Sequence, residues 1–174
     1  MNNIAKTKTD YFNDVLENRA TVVLPDEGEQ LLLKDIEFTF KVTSEMSNDQ
    51  LGVYKIILNP MAIGAKLHYH RFMDETFIVD KGELTIQLGE EVFTAGKGSI
   101  VYVPRFTPHG FQNDTEEKVE LTLLFNPSQK REGFFWGLQE TLSEEPIDPK
   151  KYLKLYNKYD SFPVDTSNMI PKRD

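Results

Sequence analysis

The chain has 174 residues, 20 Lys and Arg against 28 Asp and Glu for a formal charge of -8, and 39% hydrophobic content. A domain of this length hides roughly two-thirds or more of the surface its unfolded chain exposes, so neither a disulfide nor a structural metal is needed for folding. The acidic balance, with cationic residues scattered, argues against a nucleic-acid partner. The absence of Cys excludes disulfides, thiolate zinc sites, iron–sulfur clusters and thiol nucleophiles, so any metal must take N and O ligands.

Residues 1–20 are polar and predict one short helix, with Tyr11/Val15 and Phe12/Leu16 at i, i+4 behind Thr9 or Asp10 as N-cap. The opening MNNIAKTKTDYFND has no apolar signal core, and no run approaches the ~18 apolar residues of a membrane span. The expected compartment is the cytoplasm, with no membrane partner. Residues 21–127 read as short extended segments: TVVL, QLLLKD, IEFTFKVT, LGVYKIILN, KLHYHR, ETFIVD, ELTIQLG, EVFTAG, SIVYVP, HGFQN and VELTLLF. They are rich in β-branched and aromatic residues and bounded by Gly, Pro, Asn and Asp. Leu84, Ile86 and Leu88 alternate with Thr85 and Gln87, the pattern of an antiparallel sheet with one buried face.

Residues 128–162 switch to helical period. Phe134, Phe135, Leu138 and Leu142 share one face of a segment that also carries Gly133 and Gly137, each costing a helix roughly 1 kcal/mol relative to Ala. A second helix opens with Asp148 at the N-cap and Pro149 at the first position, then carries Tyr152, Leu155, Tyr156 and Tyr159 on one stripe. These helices have too few apolar residues for a core of their own and must dock on the β unit or on another subunit. Residues 163–174 read as a loose tail. No internal repeat or long linker interrupts the chain.

Three His occur in the sequence, two of them as His68-Tyr69-His70 within an extended segment, where residues two apart share a face. Glu75 follows five residues later, and His109 lies further on, four residues before Asn113. Taken singly, each His reads equally well as a surface or satisfied core residue. Together, three imidazoles and a carboxylate are the N/O set that suits a divalent first-row metal, with positions left for water, substrate or dioxygen.

The blocks GAKLHYHRFMDETFIVDKG (64–82) and GSIVYVPRFTPHGFQN (98–113) resemble the two motifs of the cupin superfamily. The wider chain, from about residue 31 to 162, is similar to compact quercetin-dioxygenase-like cupins, which also follow the barrel with an aromatic helix and an Asp-Pro-opened helix. The resemblance implies a mainly β fold, a jelly-roll barrel with a short N-terminal segment and two C-terminal helices. It implies His68, His70, Glu75 and His109 as ligands of one divalent ion (Fe, Mn, Ni, Cu or Zn) and Gly82, Gly98, Pro104 and Asn113 as framework positions. Two positions depart from the family pattern: Ala62 and Phe106 stand where Gly is usual. If the turn at 106 requires φ > 0, Phe is strained there by about 1 kcal/mol, and its ring is placed at the pocket mouth.

Lys66 shares the parity of His68 and His70, so it is either an anion-binding residue at the rim or a solvated strand-end cation. Phe77 has the parity of Glu75, and Phe111 that of His109 and Asn113, which points these side chains inward as core or as pocket lining. Trp136, Phe134 and Phe135 read as core or dimer contact. The implied function is a dioxygenase acting on a small hydroxylated aromatic or enolic compound, with Glu75 as ligand and base. Two other functions stay open: an isomerase or epimerase of sugars or keto acids, and a non-catalytic small-molecule binder. Uncovered strand edges and the two helices make a homodimer the expected state.

Overall fold

The computed structural model of the protein describes residues 20–167, so the expected helix at 9–16 lies outside the described residues. Eleven strands and two helices follow in chain order: β1 (Glu29–Leu33), β2 (Ile36–Val42), β3 (Gly52–Leu58), β4 (Ile63–Tyr69), β5 (Asp74–Lys81), β6 (Glu83–Leu88), β7 (Glu91–Gly96), β8 (Ile100–Val103), β9 (His109–Gln112), β10 (Val119–Asn126), α1 (Arg131–Ser143), α2 (Pro149–Lys158) and β11 (Phe162–Pro163). Every expected extended segment from 30 onward is a strand. TVVL is not: Val22 and Leu24 are exposed and no neighbouring strand pairs with them.

The strands form two antiparallel sheets, ordered β1-β2-β3-β10-β5-β8 and β11-β4-β9-β6-β7. The expected jelly-roll barrel is thus realised as a sandwich of two sheets. Alternation of buried and more exposed residues along β2, β3 and β10 sends one set of side chains inward. Phe40, Tyr54, Ile56, Leu58, Phe77, Leu84, Ile86, Leu121, Leu123 and Phe125 fill the interior, each 1% exposed or less.

Both helices dock on the sandwich of their own chain. The Phe135 ring lies 4.5 Å from Phe38 and 6.0 Å from Tyr54, and Tyr54 Oη donates to Glu132 Oε1 at 2.6 Å. Glu132 also accepts from the Ser44 amide and hydroxyl, which anchors the first turn of α1. Helix α1 tolerates its two glycines because α2 approaches there. A Cβ at position 133 would stand 2.4 Å from the Tyr159 hydroxyl, and one at 137 would stand 2.5 Å from Leu155 Cδ1. Helix α2 begins as the sequence predicts, with the Asp148 side chain accepting from the Lys150 amide at 2.8 Å. Strand β11 corrects the expectation of a loose tail from 163. Phe162 and Pro163 pair with Tyr69 and His68, and the Val164 amide reaches Leu67 O at 3.1 Å. None of the described helices is long and apolar enough to cross a membrane.

Candidate metal centre

The β4–β9 ladder places His68 opposite His109. His70 follows directly after β4, and Glu75 lies on β5 opposite Phe125 of β10. One ligand atom from each of His68, His70, Glu75 and His109 falls within 4.8 Å of the others, and none of the four residues is more than 4% exposed. Glu75 Oε2 is 3.1 Å from His70 Nε2 and 2.9 Å from His109 Nε2.

The far side of each ring fixes its chemistry. His68 Nδ1 lies 2.8 Å from Lys66 O, His109 Nδ1 lies 2.8 Å from Thr107 O, and His70 Nδ1 lies 2.5 Å from Asp160 O. A carbonyl only accepts, so each Nδ1 carries a proton and each ring turns its Nε2 toward the centre, where those of His70 and His109 face Glu75 at hydrogen-bond distance. Burial pushes the imidazolium forms of His68 and His70 below their ordinary range, and the neighbouring imidazoles add to this for His68. Burial also opposes ionisation of Glu75, but contacts to His109 and His70 override it and hold the carboxyl below its usual range. With each Nδ1 committed to a carbonyl, three Nε2 atoms and one carboxylate are left facing one another, and each Nε2 can give a lone pair to an ion that displaces its proton. The donor set therefore fits a divalent first-row ion, and the Nδ1–carbonyl bonds are the supports that orient metal-binding imidazoles.

A narrow cavity of about 40 Å³ adjoins this cluster, lined by His68 and Glu75 together with Gly64, Phe111, Phe125 and Phe38 from the sheets. Arg131, Phe134, Phe135, Tyr156 and Ser161 close it from the helical side. Gly64 is required by Phe111: a Cβ there would stand 2.0 Å from the ring.

The other sequence-predicted residues distribute differently. Phe111 lines the cavity, whereas Phe77 is fully buried and packs edge-on against Phe111 at 5.1 Å as core. Asn113 is a framework clamp. Its amide donates to Leu58 O, Asn59 O and Glu117 O, and its Oδ1 accepts from Thr115. Lys66 lines an outer groove with Gln87, Gln112 and Asp165, because register shifts along β4 between Ile63 and His68 break the parity that would align it with the His pair. Phe106 does adopt φ 64°, but its ring is 64% exposed and lines none of the cavity. Its amide donates to His70 O at 2.6 Å.

Sequence reasoning passed over three residues at the site. Phe134 and Phe135 wall the cavity, although the sequence reads them only as core or dimer contacts. Asp160, at φ 57° after α2, offers its carbonyl to His70, and its carboxylate accepts from the amides of Arg71, Phe72 and Met73 at 2.9, 2.8 and 3.1 Å. No local motif marks it.

Residues 54–125 match the family model of the Cupin domain. No curated protein matches the sequence. Among solved structures, the chain is similar to a sugar phosphate isomerase from a cupin superfamily of Silicibacter pomeroyi (18% identity, 63% of this chain and 77% of that one, TM-score 0.56). It is also similar to a predicted oxalate decarboxylase of Thermotoga maritima (15%, 62% and 99%, 0.57) and to the polyketide cyclase RemF of Streptomyces resistomycificus (15%, 62% and 80%, 0.55). These likenesses concern the fold, which hosts different reactions in those proteins. The Cupin domain match lies across the ligand strands, and the two-sheet architecture is shared with these structures, so the chain has the cupin fold.

Proposed function

We propose that this protein is a mononuclear metal-dependent cupin of the dioxygenase type, acting on a small hydroxylated aromatic or enolic compound. The observation that carries the reading is the buried convergence of three imidazole Nε2 atoms and one carboxylate on a cavity walled by aromatic rings. A divalent iron, manganese, nickel or copper ion on these ligands supplies Lewis acidity and one-electron chemistry toward dioxygen. The chain supplies the rest. Phe38, Phe111, Phe134 and Phe135 offer flat apolar walls for a planar ligand and keep water out. Glu75, ionised and lining the cavity, is placed to accept the proton of a substrate hydroxyl.

Elemental analysis of untagged protein prepared without chelator tests the reading, beside the His68→Ala/His109→Ala double variant. About one equivalent of iron, manganese, nickel or copper in the wild type, lost from the variant, is the expected result, with oxygen uptake on phenolic or enolic substrates. Glu75→Gln keeps most of the metal and loses turnover. A wild type that holds no metal and takes none up on reconstitution sinks the proposal. Turnover that continues with zinc and without oxygen assigns the site to isomerisation instead.

A further inference from the structure

Arg131 opens α1 and is 4% exposed. Its Nη1 donates to Tyr159 O at 3.0 Å and to Ser161 Oγ at 2.7 Å, tying the start of α1 to the chain after α2. Nε is buried without a hydrogen-bond partner, and among the described residues no carboxylate lies within ion-pair distance of the guanidinium. What surrounds it is aromatic: Phe134 at 4.1 Å, Phe125 at 5.1 Å and Phe135 at 5.3 Å from the guanidinium carbon. Cation–π attraction offsets part of the desolvation of a charge but leaves the Nε–H unsatisfied. The two Nη1 bonds run to a carbonyl and a hydroxyl, which a neutral donor would serve as well.

Arg131 shares its cavity with His68 and Glu75. A divalent ion on the four ligands and the guanidinium, set against the Glu75 carboxylate and the more distant, amide-bonded Asp160 carboxylate, leave this space with surplus positive charge. A buried surplus is stable only when a counter-charge enters. An oxyanion can answer both the charge and the orphaned Nε–H, since guanidinium groups pair with carboxylates through charge-assisted hydrogen bonds.

We propose that Arg131 is the anion-recognition residue of the cavity, and that the ligand is a small carboxylate whose apolar body lies against Phe134 and Phe135. This rests on the metal-centre reading and narrows its substrate class to hydroxylated aromatic or enolic acids. The cation comes from the helical cap, so the cap selects for charge while the sheets hold the metal ligands.

The test uses the full chain reconstituted with zinc, which is redox-inert, and calorimetric titration with benzoate and propionate against benzamide and propionamide. At least one acid is expected to bind roughly ten-fold or more tightly than its amide. Arg131→Met should reduce acid affinity by about ten-fold or more, leave amide affinity within about three-fold, and retain its zinc by elemental analysis. Arg131→Lys keeps a cation without the fork and should lose at least about three-fold, which preserves the test if Arg131→Met does not fold. Equal binding of acids and amides, or acid binding unchanged in the variants, overturns the proposal. If zinc binds but acids and amides are not distinguished, the anion proposal falls and the metal reading stands. If the chain takes up no zinc and Arg131 still governs acid binding, the metal reading falls alone.

Discussion

His68, Glu75 and His109 sit on strands whose spacing is set by backbone ladders, whereas Arg131, Phe134 and Tyr156 reach the same cavity from helices held by side-chain packing. A ladder fixes Cβ positions residue by residue, so ligands on β4 and β9 converge once the register is set. A docked helix is positioned by the sum of many weaker contacts: the tilted packing of Phe135 on Phe38, the Tyr54–Glu132 bond and the glycine-permitted approach of α2. The rigid region suits a metal, which needs its donors placed closely. The packed cap suits recognition, because its side chains can change without disturbing the ligand register.

Asp160 is where the two regions meet, and removing its side chain should give the largest change. Asp160→Ala strips the acceptor from the amides of Arg71, Phe72 and Met73, of which Met73 is fully buried. Abandoning the buried Met73 donor costs about 1–3 kcal/mol and the donors of the exposed Arg71 and Phe72 less, so a loss of roughly 2–4 kcal/mol is expected in urea denaturation, with weakened metal uptake because these residues join His70 to Glu75. Asp160→Asn tolerates the positive φ and keeps one carbonyl oxygen, and it should recover about half the loss. A loss under about 1 kcal/mol for the Ala variant would show the cap and the ligand strands to be independent.

The contrast between the regions also explains what could be read in advance. His68 and His70 share a face by spacing alone, and Glu75 and His109 fall in two strand–turn–strand blocks recognisable as a pattern. Asp160 and Arg131 carry no such mark. The Asp160 contacts span 87 to 90 residues, and a helical period tells which face of α1 is buried but not against what. Lys66 shows the limit within a strand: its parity is that of His68, yet the irregular register of β4 sends it to the outer groove. A bulge is a property of the pair of strands, so one strand's sequence does not display it.

Acid should separate the regions next, because the titratable ligands lie on the strands. For His68 and His70 the folded-state proton affinity is depressed, so the unfolded chain binds more protons below its imidazole pKa of 6.5. Their contribution is complete above that value and is lost as pH falls below it. The slope is at most about 1.4 kcal/mol per pH unit for each group. Glu75 is depressed as well, so its contribution is present above 4.5 and declines below that. The metal-free protein should therefore show a falling Tm from about pH 7 downward, which the His68→Ala/His109→Ala variant shows less steeply. Parallel profiles for the two would place the acid sensitivity outside the ligand cluster.

The smallest effect should come from Phe106, which lies in the loop leading to β9 and bonds to the strand end carrying His70. Its φ of 64° puts a Cβ in the left-handed region, where a non-glycine residue is strained by roughly 1–2 kcal/mol, and its exposed ring recovers little by burial. Glycine removes that strain but adds freedom to the unfolded chain, which offsets part of the gain. Phe106→Gly should therefore raise stability by about 0.5–1 kcal/mol while the amide bond to His70 O persists and metal content stays unchanged. Phe106→Ala keeps the Cβ and should gain nothing, so the pair of variants isolates the backbone from the ring. If Phe106→Gly instead weakens retention of a planar ligand without altering metal content, the ring contributes to the mouth of the site after all, and recognition extends beyond the helical cap to the loop that precedes a ligand strand.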